Sequence, residues 1–417
     1  MKPDAFWLTN VLLESGYRLE NGAVTGTDSE ICHLLIEDGK IARIEPAALV
    51  EIGSELPRLD AQGLLALPPF KEMHNHLDKT YMGGPWTSCI PARSLADRLE
   101  LEALELPILA KTVRERAELL LALFAQSGVT HVRTHVNIDP YIGLQNLESV
   151  RLALEQFEDK LTYEIVAFPQ HGSLKNDVPR LMRQAMREGA TLVGGLDPAG
   201  IDGRIEAALD QMMDIAVECN ADIDMHLHDS GQLGLYTMKK LTDVTREAKW
   251  HDRVAVSHAF ALGEVPLGRA DDMAQMFAEL GMSVMSTAPI NRSIPPIPLL
   301  RDRGVAVELG NDGFYDSWSP FGSGDVLEKA WRLADRFRWT DELSLAQALA
   351  FITGGVTPLN KEGARVWPKA GDEASMVFAE ASCSAEAVAR RANRPAVMYK
   401  GKLSAGALAT EPQQPQA

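Results

Sequence analysis

Apolar and polar positions follow two textures along this chain. Up to residue 64, the segments FWLTNVLL (6–13) and EICHLLIEDGKIARIEP (30–46) alternate with a period of two. Turn residues separate them, including the Ala61-Gln62-Gly63 stretch, which predicts short strands and turns. From 65 to 365 the period switches. Apolar runs of strand length recur as LLALPPF, GVTHVRTHV, TYEIVAFP, ATLVGGLD, DIDMHLH, RVAVSHA, MSVMSTA and VAVELGND. Between them lie stretches such as RERAELLLALFAQSG and RIEAALDQMMDIAVECN, with apolar residues at i, i+3 and i+4, the spacing of an amphipathic helix. The Met-containing helix at 271–282 reads as ordinary packing. From 366 to 410 the strand texture returns in SMVFAEA and AVMYKGKLSA, and a polar tail expected to be disordered runs from Glu411.

Eight strands alternating with helices predict a (β/α)8 TIM barrel over residues 65–365. Segments 1–64 and 366–410 are expected to form one small β-sandwich domain from both chain ends. A doubly wound sheet is the alternative, but no GxGxxG turn follows the first strand.

The 417 residues suffice for such a barrel and a satellite, and 46% hydrophobic with 24% charged residues is a globular composition. The net charge of −17 repels phosphates, which argues against nucleic-acid and anionic-membrane partners. Cys32, Cys89, Cys219 and Cys383 lack CxxC spacing, so neither a disulfide framework nor a thiolate metal site is indicated. With no signal-peptide layout and no 18-residue apolar run, a cytoplasmic location is expected. A homo-oligomer with no nucleic-acid or membrane partner is the expected assembly.

Barrel enzymes build their sites at the C-terminal ends of the strands. Those ends carry His74 and His76, His135, Gln170, Asp197, His226 with His228 and Asp229, His258 and Asp312. Six of the 10 histidines stand there, at 74, 76, 135, 226, 228 and 258, more than scatter would give. His74 and His76 are spaced i, i+2 and point the same way from a strand. Three neutral imidazoles and one carboxylate suit a single divalent cation, zinc or iron(II), and the expected ligands are His74, His76, His226 and Asp312.

HNHLDK (74–79), RTHV (133–136), VAFPQ (166–170), SHA (257–259) and NDGFYDSWSPFGSGD (311–325) resemble the cytosine deaminase branch of the amidohydrolase superfamily, over nearly the whole chain. DMHLHDSGQLGLY (224–236) and VGGLDPAG (193–200) are closer still to triazine-degrading N-isopropylammelide isopropylaminohydrolases. The resemblance implies a mononuclear metal hydrolase that replaces an exocyclic ring amine by a carbonyl, on cytosine or a 5-substituted cytosine such as 5-methylcytosine. Triazine, creatinine-like and ring-opening cyclic-amide substrates are the alternatives. It implies the same four metal ligands and a substrate-reading Gln170. It also implies a catalytic His258 and a ring-stacking Trp318, with Asp312 as proton acceptor. Asp197 and Lys79 are further candidates at the substrate.

Two departures bear on chemistry. Cytosine deaminases have glutamate where this chain has Asp229, preceded by His228, so either residue could shuttle the proton. They also place a second aspartate at Gly313, whose loss is expected to open the pocket beside the ring. A nucleic-acid deaminase is disfavoured by the missing H-x-E and P-C-x-x-C signature and by the negative charge. A non-catalytic barrel is disfavoured because no ligand is missing. Among the other histidines, His131 and His251 read as structural or solvated and His33 and His171 as surface residues. His135 reads as a ligand or a hydrogen-bonding neighbour of one.

Overall fold

The computed structural model describes residues 5–50, 52–53 and 55–410; the expected tail from 411 lies outside the described residues. Eight parallel strands run in chain order around a barrel: β1 (Phe70–Asn75), β2 (Val129–Asn137), β3 (Thr162–Phe168), β4 (Leu192–Leu196), β5 (Asp222–Leu227), β6 (Val254–His258), β7 (Ser283–Ser286) and β8 (Val307–Leu309). Seven of the eight strand runs read from the sequence lie on β2 to β8, the first reaches β1 only at Phe70, and helices connect the strands. This is a (β/α)8 TIM barrel.

The first run divides. Leu65–Leu67 leaves the barrel and pairs antiparallel with Met376–Ala379, in the register Val377 to Leu67 and Ala379 to Leu65. Pro68 and Pro69 follow, and without N–H groups they cannot continue a ladder, so the barrel strand starts afresh at Phe70. The barrel ladder therefore begins five residues beyond the expected boundary at 65.

Both chain ends build a single nine-stranded sheet. Its main hairpin is far longer than expected, pairing Ala5–Glu20 with Ala23–Glu37 across Asn21-Gly22. Both turn residues have positive φ, 52° and 81°, as a two-residue hairpin turn requires. This sheet wraps a core of its own from Leu8, Leu34, Ile36, Trp367, Met376, Phe378 and Met398. The main core lies between the strands and the surrounding helices. Val113–Gln126 gives it Leu120, Leu121 and Phe124, and Leu267–Leu280 gives it Met273 and Phe277, as the helical spacing predicts.

Truncating the fully buried Phe378 should test the second core. Phe378→Ala is expected to cost about 3–5 kcal/mol in chemical denaturation. The exposed Leu49→Ala should stay within about 0.5 kcal/mol.

Candidate active site

The barrel closes where β8 meets β1, and that seam delivers the first chemical groups. One backbone bridge joins Asn75 to Asp312, and Asp312 N donates to His74 O at 2.7 Å. The buried Glu72 carboxylate accepts from His74 N at 3.0 Å and from Asn311 N at 3.0 Å. Burial pushes its carboxyl up to about 7. At the next strand ends, His258 and Asp312 hold left-handed backbone (φ 70° and 67°), a conformation that functional sites commonly store.

Three buried imidazoles, His74, His76 and His258, face Asp312, and two more, His135 and His226, pack against His74. Its Oδ1 lies 3.6 Å from His74 Nε2 and 3.5 Å from His76 Nε2, and Oδ2 lies 4.0 Å from His258 Nε2. His226 Nε2 stands 3.4 Å from His76 Nε2. Two groups bring their ligating atoms within 4.8 Å of one another: His74, His135 and His226, and His74, His258 and Asp312. His135 thus stands among the ligand candidates.

The hydrogen-bond inventory fits a cation. His74 Nε2, His76 Nδ1, His226 Nδ1 and both ring nitrogens of His135 and His258 are buried without a partner, as polar groups rarely are. Burial holds His76 down to about 3 and His135, His226 and His258 well below the ordinary imidazole value, so they are neutral and able to bind a metal. Burial opposes ionisation of Asp312, but the facing imidazoles of His258, His74 and His76 outweigh it and hold the carboxyl well below the usual range.

A second layer sets the tautomer of His74. Ser257 Oγ donates its proton to Asp224 Oδ1 at 2.6 Å, so it can only accept from His74 Nδ1 at 2.8 Å. The Nε2 lone pair of His74 is thereby directed to the site. Asp224 is in turn paired with Arg133 at 3.0 Å, and Arg133 with Glu164 at 2.8 Å.

On the far side of His258 stands His228, ring centroids 4.4 Å apart. Its Nδ1 donates to Asp197 Oδ2 at 2.9 Å, and Asp197 Oδ1 accepts the backbone N–H of His228 and Asp229 at 2.5 and 3.2 Å. Asp197, expected at the substrate, is occupied in positioning His228. It begins a π-turn over Pro198–Asp202. Asp229 is half-buried and turned toward the N–H groups of Ala199 and Gly200 in that turn. Burial, reinforced by Asp197, raises its carboxyl to about 6.

The remaining candidates form a polar cluster. Lys79 Nζ donates to Gln170 Oε1 and lies 3.2 Å from Glu102 Oε1. The Lys79 ammonium also sits 5.4 Å from the Phe168 ring and 5.8 Å from that of Trp318. Trp318 Nε1 donates to Glu102 Oε1 at 3.1 Å. Glu102 was missed in the sequence. The usable signal was its helical register with Leu99 and Leu106, which puts an acid on a buried face.

Gly313 does not open space as expected. A Cβ there would meet Asp316 Oδ2 at 2.2 Å. Asp316 is buried, accepts from Trp318 N and Ser319 N at 2.8 and 2.9 Å, and burial pushes its carboxyl up to about 7. The Asp316 carboxyl group occupies the space that a side chain at 313 would need. His171 also differs from expectation. It is buried, with Nε2 3.2 Å from Leu99 O and Nδ1 3.5 Å from Asp139. His33 is half-buried and accepts from Asn10 N, His131 pairs with Glu164, and His251 is exposed.

Comparison with known proteins gives a consistent answer. The sequence profile of the amidohydrolase family matches residues 91–403. The chain is 42% identical over 407 residues to the uncharacterized protein YahJ of Escherichia coli (strain K12), covering 97% of this chain and 88% of that one. The crystal structure of N-isopropylammelide isopropylaminohydrolase from Burkholderia multivorans superposes with a TM-score of 0.84 at 32% identity, covering 97% of this chain and 100% of the other. That of 5-methylcytosine deaminase from Klebsiella pneumoniae, liganded with 5-fluorocytosine, has a TM-score of 0.78 at 23% identity, covering 98% and 100%, and shares the fold. No described helix is long and apolar enough to cross a membrane.

Elemental analysis after mild reconstitution should find about one divalent metal ion per chain, the occupancy of a single-cation site. His226→Ala and Asp312→Ala are each expected to lose the metal and all turnover; a fully active His226→Ala would refute the ligand set.

Proposed function

The chain belongs to the amidohydrolase family and is a hydrolase acting on carbon–nitrogen bonds; from that premise we propose that it removes an exocyclic amine from an oxo-substituted six-membered nitrogen heterocycle, leaving a carbonyl. The observation that carries this reading is the convergence of neutral imidazoles with unpartnered nitrogens on an ionised Asp312. The ring is of the pyrimidine type, cytosine or a substituted cytosine, or of the triazine type. Two observations favour the triazine type. Asp316 occupies the space at Gly313 that was expected to admit a 5-methyl group, and the relative at 32% identity is named for a triazine amine.

A divalent cation held by His74, His76, His226 and Asp312 would supply Lewis acidity and make a water molecule acidic near neutral pH. His135 is positioned to join or support that set. Asp312 accepts the proton given up by the attacking water. A protonated ring nitrogen of His258 steadies negative charge on the ring as the carbon becomes tetrahedral. With Nδ1 bonded to Asp197, His228 keeps Nε2 for moving a proton to the leaving amine, the oriented-imidazole arrangement of general acid–base catalysis. Lys79 and Gln170 hold the polar edge of the ring, and Trp318 covers its face.

Purified enzyme should release ammonia or a small amine from members of a panel of aminopyrimidines and aminotriazines; no release from any member would defeat the reading. His228→Asn is expected to retain metal and lose on the order of 100-fold or more in kcat, the usual scale for a general acid–base group. Asp229→Asn should be milder, since its carboxylate faces the turn, and the opposite ranking would move the proton shuttle to Asp229.

A further inference from the structure

Beside Lys79 stands an acid to which neither the sequence pattern nor the family resemblance gave a role. Glu102, on the helix Leu95–Leu109, is only 2% exposed. Its Oε1 is shared by Trp318 Nε1 and Lys79 Nζ, whereas Oε2 is buried with no hydrogen-bond partner. A buried carboxyl oxygen left without a donor costs free energy, as any buried unpaired acceptor does. Unfilled acceptors of this kind in a binding site await a donor from the ligand.

The neighbouring groups restrict what the ligand can be. Lys79 can only donate. Gln170 has both kinds of atom, but its oxygen is taken by Lys79, which fixes the amide and leaves its NH₂ to face outward. Lys79 and Gln170 therefore present donors alone, and a ring carbonyl satisfies them. Glu102 presents an acceptor alone, and a ring N–H satisfies it. We propose that Glu102 is a specificity-determining residue that accepts a ring N–H, so that the enzyme selects rings carrying a carbonyl next to an N–H, a lactam edge. This rests on the aminohydrolase reading for the reaction, but not for the recognition. A ring alkylated at that nitrogen would leave the carboxylate buried and unpaired, and sites built to bond a ligand N–H reject such analogues strongly.

Glu102 also steadies Lys79 and Trp318, so the test must separate recognition from support. Metal-loaded wild type and Glu102→Gln are titrated calorimetrically with uracil, 1,3,5-triazine-2,4,6-trione and their N-methyl derivatives, as stand-ins for the oxo-ring product. Wild type should bind at least one parent ring roughly 100-fold or more tightly than its N-methyl derivative. In Glu102→Gln, whose amide can present either an oxygen or an NH₂, that ratio should collapse to a few-fold. Equal binding of parent and methylated rings by wild type would overturn the proposal. So would a substitution that weakens both rings by the same factor, which is the signature of support alone. Discrimination without amine release from any aminated ring would leave the selector standing and remove the aminohydrolase reading. Failure of every ring to bind would remove both.

Discussion

Strands β8 and β1 are joined by little backbone, and a single buried carboxylate makes up the difference. Glu72 ties His74 N to Asn311 N across the seam, while Asp312 N reaches His74 O. The approach is so close that a Cβ on Gly310 would lie 2.3 Å from His74 N, so only glycine fits. The same contacts that close the barrel therefore set His74 and His76 against Asp312. Geometry at the candidate metal centre is fixed by barrel closure rather than by any flexible loop.

Burial does two kinds of work here. Around Asp312 it keeps His76 and His258 neutral, with ring nitrogens free of hydrogen-bond partners. Beneath the site the chain from Ser257 through Asp224, Arg133 and Glu164 is fully paired, which makes buried charge tolerable and pins His74 in one tautomer. Beside Lys79 the pairing is incomplete, and there the unmet valence of Glu102 marks where a ligand belongs.

Much of this was legible in the sequence, for a physical reason. The change from a period of two to one near 3.6 announces barrel strands and helices, and histidines at strand exits announce a site because strand ends point into the barrel mouth. What the sequence hid depends on partners far away in the chain. The break at Pro68-Pro69 became clear only once Leu65–Leu67 was seen against Met376–Ala379. Glu102 looks like one more acid on an acidic helix until Trp318 and Lys79 are seen to hold it. Gly313 suggested empty space because the sequence cannot show Asp316 folding back to fill it. Asp197 looked like a pocket residue, and its distance in sequence from His228 concealed the pair they form.

The seam also has a consequence for biosynthesis. Residues 74 and 76 leave the ribosome long before Asp312, and the strand at 65–67 waits longer still for its neighbour at 376–379. Such distant pairings are slow to form and leave intermediates exposed. Throughout that interval the nascent chain carries an open sheet edge, and His74 and His76 lack the carboxylate that faces them in the finished barrel. The candidate metal centre, which draws on both ends of the barrel, is thereby complete only once the last barrel strand has been made.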